Sequence, residues 1–302
     1  MTECERIIAE KVVPPEFLEE ETRCGFHVDT TRKKIWAIQL DLVKRLSEAC
    51  SQLNVQFFLF AGTLLGAARH QGFIPWDDDF DVAMFRNDYE TFLSKSHFEH
   101  PCFLQTPYTD PNYAFSFARL VNDNTTYCSN MFAYQGYHAG ICIDIFPLDP
   151  WDIGKGTGLY EEIKRLNIEN STWMRMKNPN LDEPNRIRVQ QWSKMDPLSV
   201  YHKINSLAQS FQDEPADYVA NAVTTIYPYG TEIFARRAYQ EVKLFPFENT
   251  SLPGPGGYHE ILATAYGDYM SYPPAETRGT RHSGIVIDPD TSYQERLKQI
   301  TG

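Results

Sequence analysis

Long apolar runs are missing from this 302-residue chain: no stretch approaches the roughly 20 apolar residues that span a bilayer. The first twenty residues, MTECERIIAEKVVPPEFLEE, are too acidic and too polar for a signal peptide, so a cytoplasmic protein without a transmembrane segment is expected. Positive charge is scarce as well. Lys and Arg number 28 against 40 Asp and Glu, and the net charge of -12 comes with no basic stripe. Such a surface does not track a nucleic-acid backbone. Cys4, Cys24, Cys50, Cys102, Cys128 and Cys142 show neither CxxC nor Cys/His spacing. Neither a zinc site nor a disulfide framework is indicated, and free thiols, several of them buried, are expected. Internal repeats and low-complexity tracts are absent too. What is present is a composition 42% hydrophobic, enough to bury a core over most of the length.

Residues 1–30 carry no strong period and are broken by Pro14 and Pro15, so they read as an N-terminal arm. Asp29 or Thr30 can cap a helix, and from Arg32 to Cys50 apolar residues, Trp36 and Leu46 among them, recur near the 3.6-residue period. Val55 to Phe60 reads as a strand and Phe60 to Gly66 as a glycine-rich turn; Thr63 to His70 suits a short helix stopped by Gly72. Phe80 to Phe85 is a second candidate strand, with Asn87 capping a helix through Lys95. Phe115 to Val121 alternates, and Gly140 to Pro147 is a short apolar run interrupted by Asp144. Beyond Asp152, Leu159 to Met176, Val189 to Ala220 and Gly257 to Tyr266 favour helices, with breaks at Pro179, Pro184 and Pro197. The division is an arm (1–30), an α+β catalytic core (31–152) and a more helical C-terminal part (153–302).

The most informative segment is Trp76-Asp77-Asp78-Asp79-Phe80-Asp81, four carboxylates among apolar neighbours. Carboxylates that crowded in a half-buried place either hold protons at raised pKa or bind a cation. If Asp79 to Val82 is a strand, Asp79 and Asp81 share a face. Asp144, between Ile143 and Ile145, supplies a third carboxylate if its strand is a neighbour. Three such groups with phosphate oxygens suit Mg²⁺, with Mn²⁺ as the alternative, and an in-line displacement at phosphorus. Calcium is disfavoured because there is no DxDxDG order. Gly62 lets a backbone approach phosphate, Thr63 can donate to it, and Arg69 and His70 are placed to add positive charge. Taken singly, each feature has an ordinary structural explanation; the combination is what is specific.

That combination, a glycine turn, a strand carrying Asp79 and Asp81 and a third strand carrying Asp144, resembles the nucleotidyltransferase superfamily of the DNA polymerase beta type. The longer strings GTLLGAARHQGFIPWDDDFDV, GICIDIFPLD and FPFENTSLPGP…YHEILATAYGDYMSYPP are similar to the LicD family of cholinephosphotransferases and to the catalytic domain of fukutin and fukutin-related protein. The match runs from about Trp36 to His282. The resemblance implies a mixed sheet with flanking helices and transfer of a substituted phosphate, typically phosphocholine, from a CDP-activated donor to a sugar hydroxyl. CMP is released. It implies a glycan acceptor of the lipopolysaccharide or teichoic-acid kind and, where that acceptor is lipid-linked, peripheral attachment to a membrane. Metal ligands then fall on Asp79, Asp81 and Asp144, with Asp144 also placed to take the acceptor's proton. Gly62, Thr63 and Arg69 would contact donor phosphates, and Asp77 and Asp78 would orient the donor. Gln71 stands where relatives commonly carry Lys, which leaves Arg69 and His70 to compensate.

Arg119 is a further candidate for the pyrophosphate, and Arg278, Arg281 and His282 could close over the donor. Glu248 lies in a family motif as a loop cap or a substrate contact. Choline would favour an aromatic cage; Trp76, Tyr134, Tyr137, Trp151 and Trp173 are available, but their spacing singles out none. CDP-ribitol, CDP-glycerol and CDP-ethanolamine are alternative donors, and a catalytically silent binding protein is a further alternative. The intact Asp79, Asp81 and Asp144 speak against the last.

Overall fold

The computed structural model describes residues 2–192, 196–224, 227–279 and 285–301. The N-terminal segment is more ordered than its weak period suggests. Thr2 and Glu5 form a reciprocal capping box at the start of α1 (Glu3–Ala9), and after a short 3-10 turn the chain makes a hairpin of β1 (Glu21–Arg23) and β2 (Phe26–Val28). Ile7, Val13 and Val28 bury themselves against α2 and the main core. That helix, α2 (Thr30–Leu53), starts where the Asp29 carboxylate accepts from the Arg32 amide and stops at Asn54, which is left-handed at φ 53°.

Next come β3 (Phe58–Leu59), α3 (Ala61–His70), β4 (Asp81–Phe85), α4 (Arg86–Lys95), β5 (Cys102–Gln105), β6 (Ala118–Asn122), β7 (Thr126–Ser129) and β8 (Ile141–Trp151). The remainder holds α5 (Thr157–Trp173), α6 (Glu183–Trp192), α7 (Pro197–Ala208), β9 (Tyr218–Ala220), β10 (Ile233–Ala235), β11 (Val242–Phe247), β12 (Thr250–Pro255), α8 (Tyr258–Tyr266), β13 (Ile285–Asp288) and α9 (Tyr293–Thr301). The six cysteines are free, and four of them are buried. No helix among the described residues is long and apolar enough to cross a membrane.

A mixed seven-stranded sheet runs β10-β9-β8-β4-β3, with β6 also on β8 and β5 on β6. Only β4 and β8 pair in parallel; the other ladders of this sheet are antiparallel. Eleven-residue β8 is its spine, flanked by β4 on one edge and by β6 and then β9 on the other. Alternation sends Ile141, Ile143 and Ile145, all fully buried, toward one face while Cys142 and Asp144 take the other. Helix α2 packs across β8, and the Trp36 indole stacks on Phe73 at 4.8 Å between centroids.

Several sequence-based boundaries shift for local reasons. The strand expected over Val55 to Phe60 shrinks to two residues because the Val55 amide donates to Cys50 O and the Gln56 amide to the Asp88 carboxylate. Asn87 is not a cap: β4 runs directly into α4, with Phe85 at the N-cap and Asn87 inside the first turn. The glycine turn at Gly62 and Thr63 is already helical, and α3 ends on left-handed Gln71 rather than at Gly72. Asp79 precedes β4 instead of belonging to it. The helix expected over Val189 to Ala220 is interrupted: Asp196 caps a new helix with Pro197 at its first position, and Val219 and Ala220 join the sheet.

One buried ion pair ties β8 to α4 and α7. Arg86 binds both oxygens of Asp149 at 2.7 Å and donates to Asn205 Oδ1 at 2.9 Å, and side chains 86 and 149 are 2% and 0% exposed. Removing one partner strands the other charge in a dry place. Asp149→Ala is expected to lower unfolding free energy by about 3–5 kcal/mol in urea titration, and the paired change Arg86→Met with Asp149→Leu far less.

Candidate active site

The register of β4 on β8 sets Asp81 beside Asp144, and that of β6 on β8 sets Arg119 on the other side of Asp144. Since partners in register share a face, the three side chains form a transverse row over adjacent strands, spaced about 4.8 Å at the backbone. Arg119 Nε donates to Asp144 Oδ1 at 2.8 Å and a second guanidinium nitrogen to Oδ2 at 3.3 Å. The guanidinium also lies over the rings of Tyr113, Phe115 and Phe117 at 5.6, 5.2 and 5.3 Å.

The acidic loop before β4 is fastened by its main chain. From one stripe of α2, Arg32 donates to Asp77 O at 2.7 Å, Trp36 Nε1 to the same oxygen at 3.2 Å, and Gln39 Nε2 to Asp78 O at 2.8 Å. The Asp144 amide donates to Phe80 O at 2.8 Å. With these carbonyls engaged, Asp77, Asp78 and Asp79 each bring a carboxylate oxygen within 4.8 Å of the others, an all-oxygen set able to hold a metal ion. The sequence emphasised Asp79, Asp81 and Asp144; the tightest grouping among the described residues is 77, 78 and 79, with 81 and 144 paired alongside. Burial, then the charges of Asp79, Asp144, Asp77 and Glu232, push the Asp81 carboxyl well above its usual range.

Gly62 and Thr63 serve this loop from α3. A Cβ at Gly62 would stand 3.0 Å from Asp77 Oδ2, so glycine leaves room for that carboxylate at the helix N-terminus, where the helix dipole favours it. The Thr63 hydroxyl accepts from the Asp81 amide at 2.8 Å, joining α3 to the start of β4. Ala61 sits at φ 44°, a left-handed conformation that costs an alanine roughly 1–2 kcal/mol.

Arg69 and His70 face elsewhere. Arg69 donates to Tyr269 O at 2.8 Å and Ser271 O at 3.0 Å, holding the C-terminal segment. Burial, with Arg69 and Arg23 nearby, pushes the His70 imidazole down to about 4, so it is neutral at pH 7 and adds no positive charge. Arg278 lies over Trp76 and Tyr272 at 5.1 and 5.5 Å and donates to Cys24 O at 2.9 Å, which docks the late segment beside the acidic loop. Arg281 and His282 lie outside the described residues. Glu248 proves to be a clamp: it binds Arg23 at 2.6 and 2.9 Å and accepts from the Phe73 amide at 3.0 Å.

Two groups near the row carried no sequence signal of their own. Burial holds the Glu232 carboxyl up at about 7, against a hydrogen bond with Asn221 that lowers it. The Tyr266 hydroxyl is pushed up by burial and by Asp81, Tyr227, Asp77 and Glu232. Tyr266 belongs to the string YHEILATAYGDYM, whereas Glu232 is an isolated carboxylate in YPYGTEIFARR.

Asp81, Asp144 and Arg119 on adjacent strands of a mixed sheet, with Asp77, Asp78 and Asp79 on the loop before β4, form the candidate site, and known proteins share parts of this sequence. Residues 54–175 match the LicD/FKTN/FKRP nucleotidyltransferase domain, so the chain carries a LicD-family domain. Over 255 residues it is 26% identical to the lipopolysaccharide cholinephosphotransferase LicD of Haemophilus influenzae, covering 80% of this chain and 92% of that protein. Uncharacterized proteins of Rickettsia prowazekii and Rickettsia typhi are each 45% identical over 47 residues, 16% of this chain and 18% and 15% of theirs.

Two stability measurements follow from the crowding and the strain. A raised carboxyl pKa in the fold means that stability is lost as pH climbs from the usual aspartate range through the raised value. In EDTA at pH 7, Asp81→Asn is therefore expected to melt above the parent, by roughly 0.5–2 kcal/mol of stability, and the gap should close on acidification. Ala61→Gly should add about 1 kcal/mol in chemical denaturation; no gain would mean that the left-handed residue is unstrained.

Proposed function

We infer that the protein is a metal-dependent transferase of a nucleotidyltransferase-type fold that moves phosphocholine from CDP-choline to a sugar hydroxyl of a cell-surface glycan precursor, releasing CMP. The observation that carries this reading is the row Asp81–Asp144–Arg119 beside the grouped Asp77, Asp78 and Asp79. It is supported by the LicD domain match and the likeness to a lipopolysaccharide cholinephosphotransferase.

Asp79 belongs to the grouped carboxylates and Asp81 and Asp144 are register partners beside them, so the donors are oxygens only, and the repulsion at Asp81 is what a hard divalent cation would relieve. Asp79, Asp81 and Asp144 would hold Mg²⁺ or Mn²⁺, and the ion supplies neutralisation of phosphate charge. Arg119 orients Asp144 through two hydrogen bonds. Each carboxylate oxygen has a further lone pair, so Asp144 can take the proton of the acceptor hydroxyl. The hydroxyl oxygen bonds to the choline-bearing phosphorus as the bond from that phosphorus to the bridging oxygen breaks, and CMP leaves with the electron pair. Asp77 and Asp78, anchored by Arg32, Trp36 and Gln39, hold the loop in shape. An acceptor carried on a lipid would bring the protein to a membrane surface.

Thermal shift is the first test, because a ligand confined to the native state raises Tm by mass action. CDP-choline with Mg²⁺ should raise Tm and EDTA should cancel the rise; a shift confined to CDP-ribitol, CDP-glycerol or CDP-ethanolamine would rename the donor. In a transfer assay, folded Asp81→Ala should lose about a hundredfold or more in kcat, and Arg119→Lys roughly 10–100-fold. Full turnover by folded Asp81→Ala would sink the metal assignment.

A further inference from the structure

Behind the carboxylate row lies a recess of about 160 Å³. Asp78, Asp79, Asp144 and Arg119 stand at its charged side. The rings of Phe115, Tyr127, Phe132 and Tyr137 form an aromatic side, and Gln39, Phe80, Ser129, Ile141 and Cys142 complete the lining. Of the five aromatics singled out in the sequence, only Tyr137 lines it. Trp151 is wholly buried elsewhere against Phe211, and Trp76 carries Arg278. Phe115 and Phe132 meet edge to face at 5.9 Å. At this size the recess is smaller than the roughly 300 Å³ at which small-molecule sites begin, so it takes a head group rather than a nucleotide.

Its hydrogen-bonding groups are largely engaged already. Tyr127 bonds to Asp78, Tyr137 shares a 3.4 Å contact with Cys128 Sγ, and Arg119 is spent on Asp144. Gln39 Nε2 is shared between Asp78 O and Cys142 O. With Asp79 and Asp144 assigned to the cation, what the recess offers a ligand is ring surface together with the Asp78 carboxylate. A polyol entering it could donate to the carboxylates and to Gln39 Oε1, but its remaining hydroxyls would lie against ring faces, a costly exchange. A quaternary ammonium donates no hydrogen bond and is stabilised by ring faces and negative charge, so it loses nothing there. The rings next to the recess already hold a cation in this way, since Arg119 lies over Phe115.

We propose that this recess is the subsite for the trimethylammonium head group of the transferred phosphocholine, with Phe115, Tyr127 and Phe132 as specificity-determining residues. The assignment rests on the transferase reading above and adds to it the place of the head group and the side chains that select it. With two carbons between phosphate and nitrogen, the phosphate meets the carboxylate row while the ammonium enters the recess.

The test is calorimetric titration of the full chain in Mg²⁺ with CDP-choline and with CDP, on the parent and on Phe132→Ala, Phe132→Leu and Phe132→Tyr. Phe132 is only half-buried, and the leucine variant keeps bulk while removing the ring face, so it remains informative where alanine unfolds the wall. The parent should bind CDP-choline more tightly than CDP. Alanine and leucine should shrink that advantage about tenfold with the CDP affinity unchanged, and tyrosine should restore it. A full advantage retained in folded Phe132→Leu overturns the subsite and leaves the transferase reading standing. A parent that binds CDP-choline no more tightly than CDP also overturns the subsite, and the transferase reading is then judged by the thermal-shift and transfer assays above.

Discussion

Repulsion among carboxylates is the constraint around which this protein is organised. Asp81 and Asp144 are register partners on parallel strands, and Asp77, Asp78 and Asp79 crowd the approach to the first of them. Such an arrangement folds only if everything except the carboxylate oxygens is satisfied. Helix α2 meets that demand for the main chain by spending Arg32, Trp36 and Gln39 on carbonyls 77 and 78. Helix α3 meets it at its N-terminus, where Gly62 makes room for Asp77 and Thr63 accepts from the Asp81 amide. Among the described residues Arg119 is the guanidinium bonded into the row, and its bonds there go to Asp144. Repulsion that remains is felt at Asp81, whose carboxyl burial and neighbouring charges push well above its usual range. In the transfer proposed above, stability is given up at the position where the chemistry needs charge.

The scaffold that holds this geometry comes from both ends of the chain. The hairpin β1–β2 supplies Arg23, which meets Glu248 on the turn between β11 and β12, and Glu248 in turn holds the Phe73 amide after α3. Arg69 at the end of α3 takes the carbonyls of Tyr269 and Ser271, and Arg278 lies over Trp76. All of these contacts bear on the segment from 69 to 76, just upstream of the aspartates. The matched domain, residues 54–175, contains the aspartates and Arg119 but not Arg23, Gln39, Glu248 or Arg278. The site's chemistry and the means of holding it are thus encoded in different parts of the sequence.

This division explains what could be read in advance. Apolar period and caps are local, so α2 with its Asp29 cap, α8 and the strand bearing Asp144 were visible. The pairing of Asp81 with Asp144 was legible only as a condition, that the two strands be neighbours, because register is settled by long-range packing. Gln39 sat unremarked in an apolar stripe although a buried amide there must bond to something, and that something is the acidic loop. Arg69 and His70 looked like phosphate ligands because sequence proximity to Gly62 carries no direction. In the helix they point along α3 toward the C-terminal segment, and desolvation keeps the imidazole neutral. Glu232 had no pattern to betray it, and Tyr266 stood in the string YHEILATAYGDYM without being singled out, since their relation to Asp81 exists only once β10 and α8 have packed.

Around the row the environment differs from one carboxylate to the next. Asp78, Asp79 and Asp144 border the recess walled by rings, whereas Asp81 and Asp77 act on Tyr266 alongside Glu232. An in-line displacement needs the attacking and leaving oxygens on opposite sides of phosphorus, with charge stabilised on each. For the transfer proposed here, a head group held in the recess would fix the phosphorus over the row. The remaining approach would then run past Tyr266 and Glu232, where a carboxyl with a pKa near 7 and a phenol give polar groups suited to a sugar or a nucleotide rather than to an ammonium. The ring-lined recess and the hydroxyl-bearing approach make different chemical demands, and the row of carboxylates is the boundary they share.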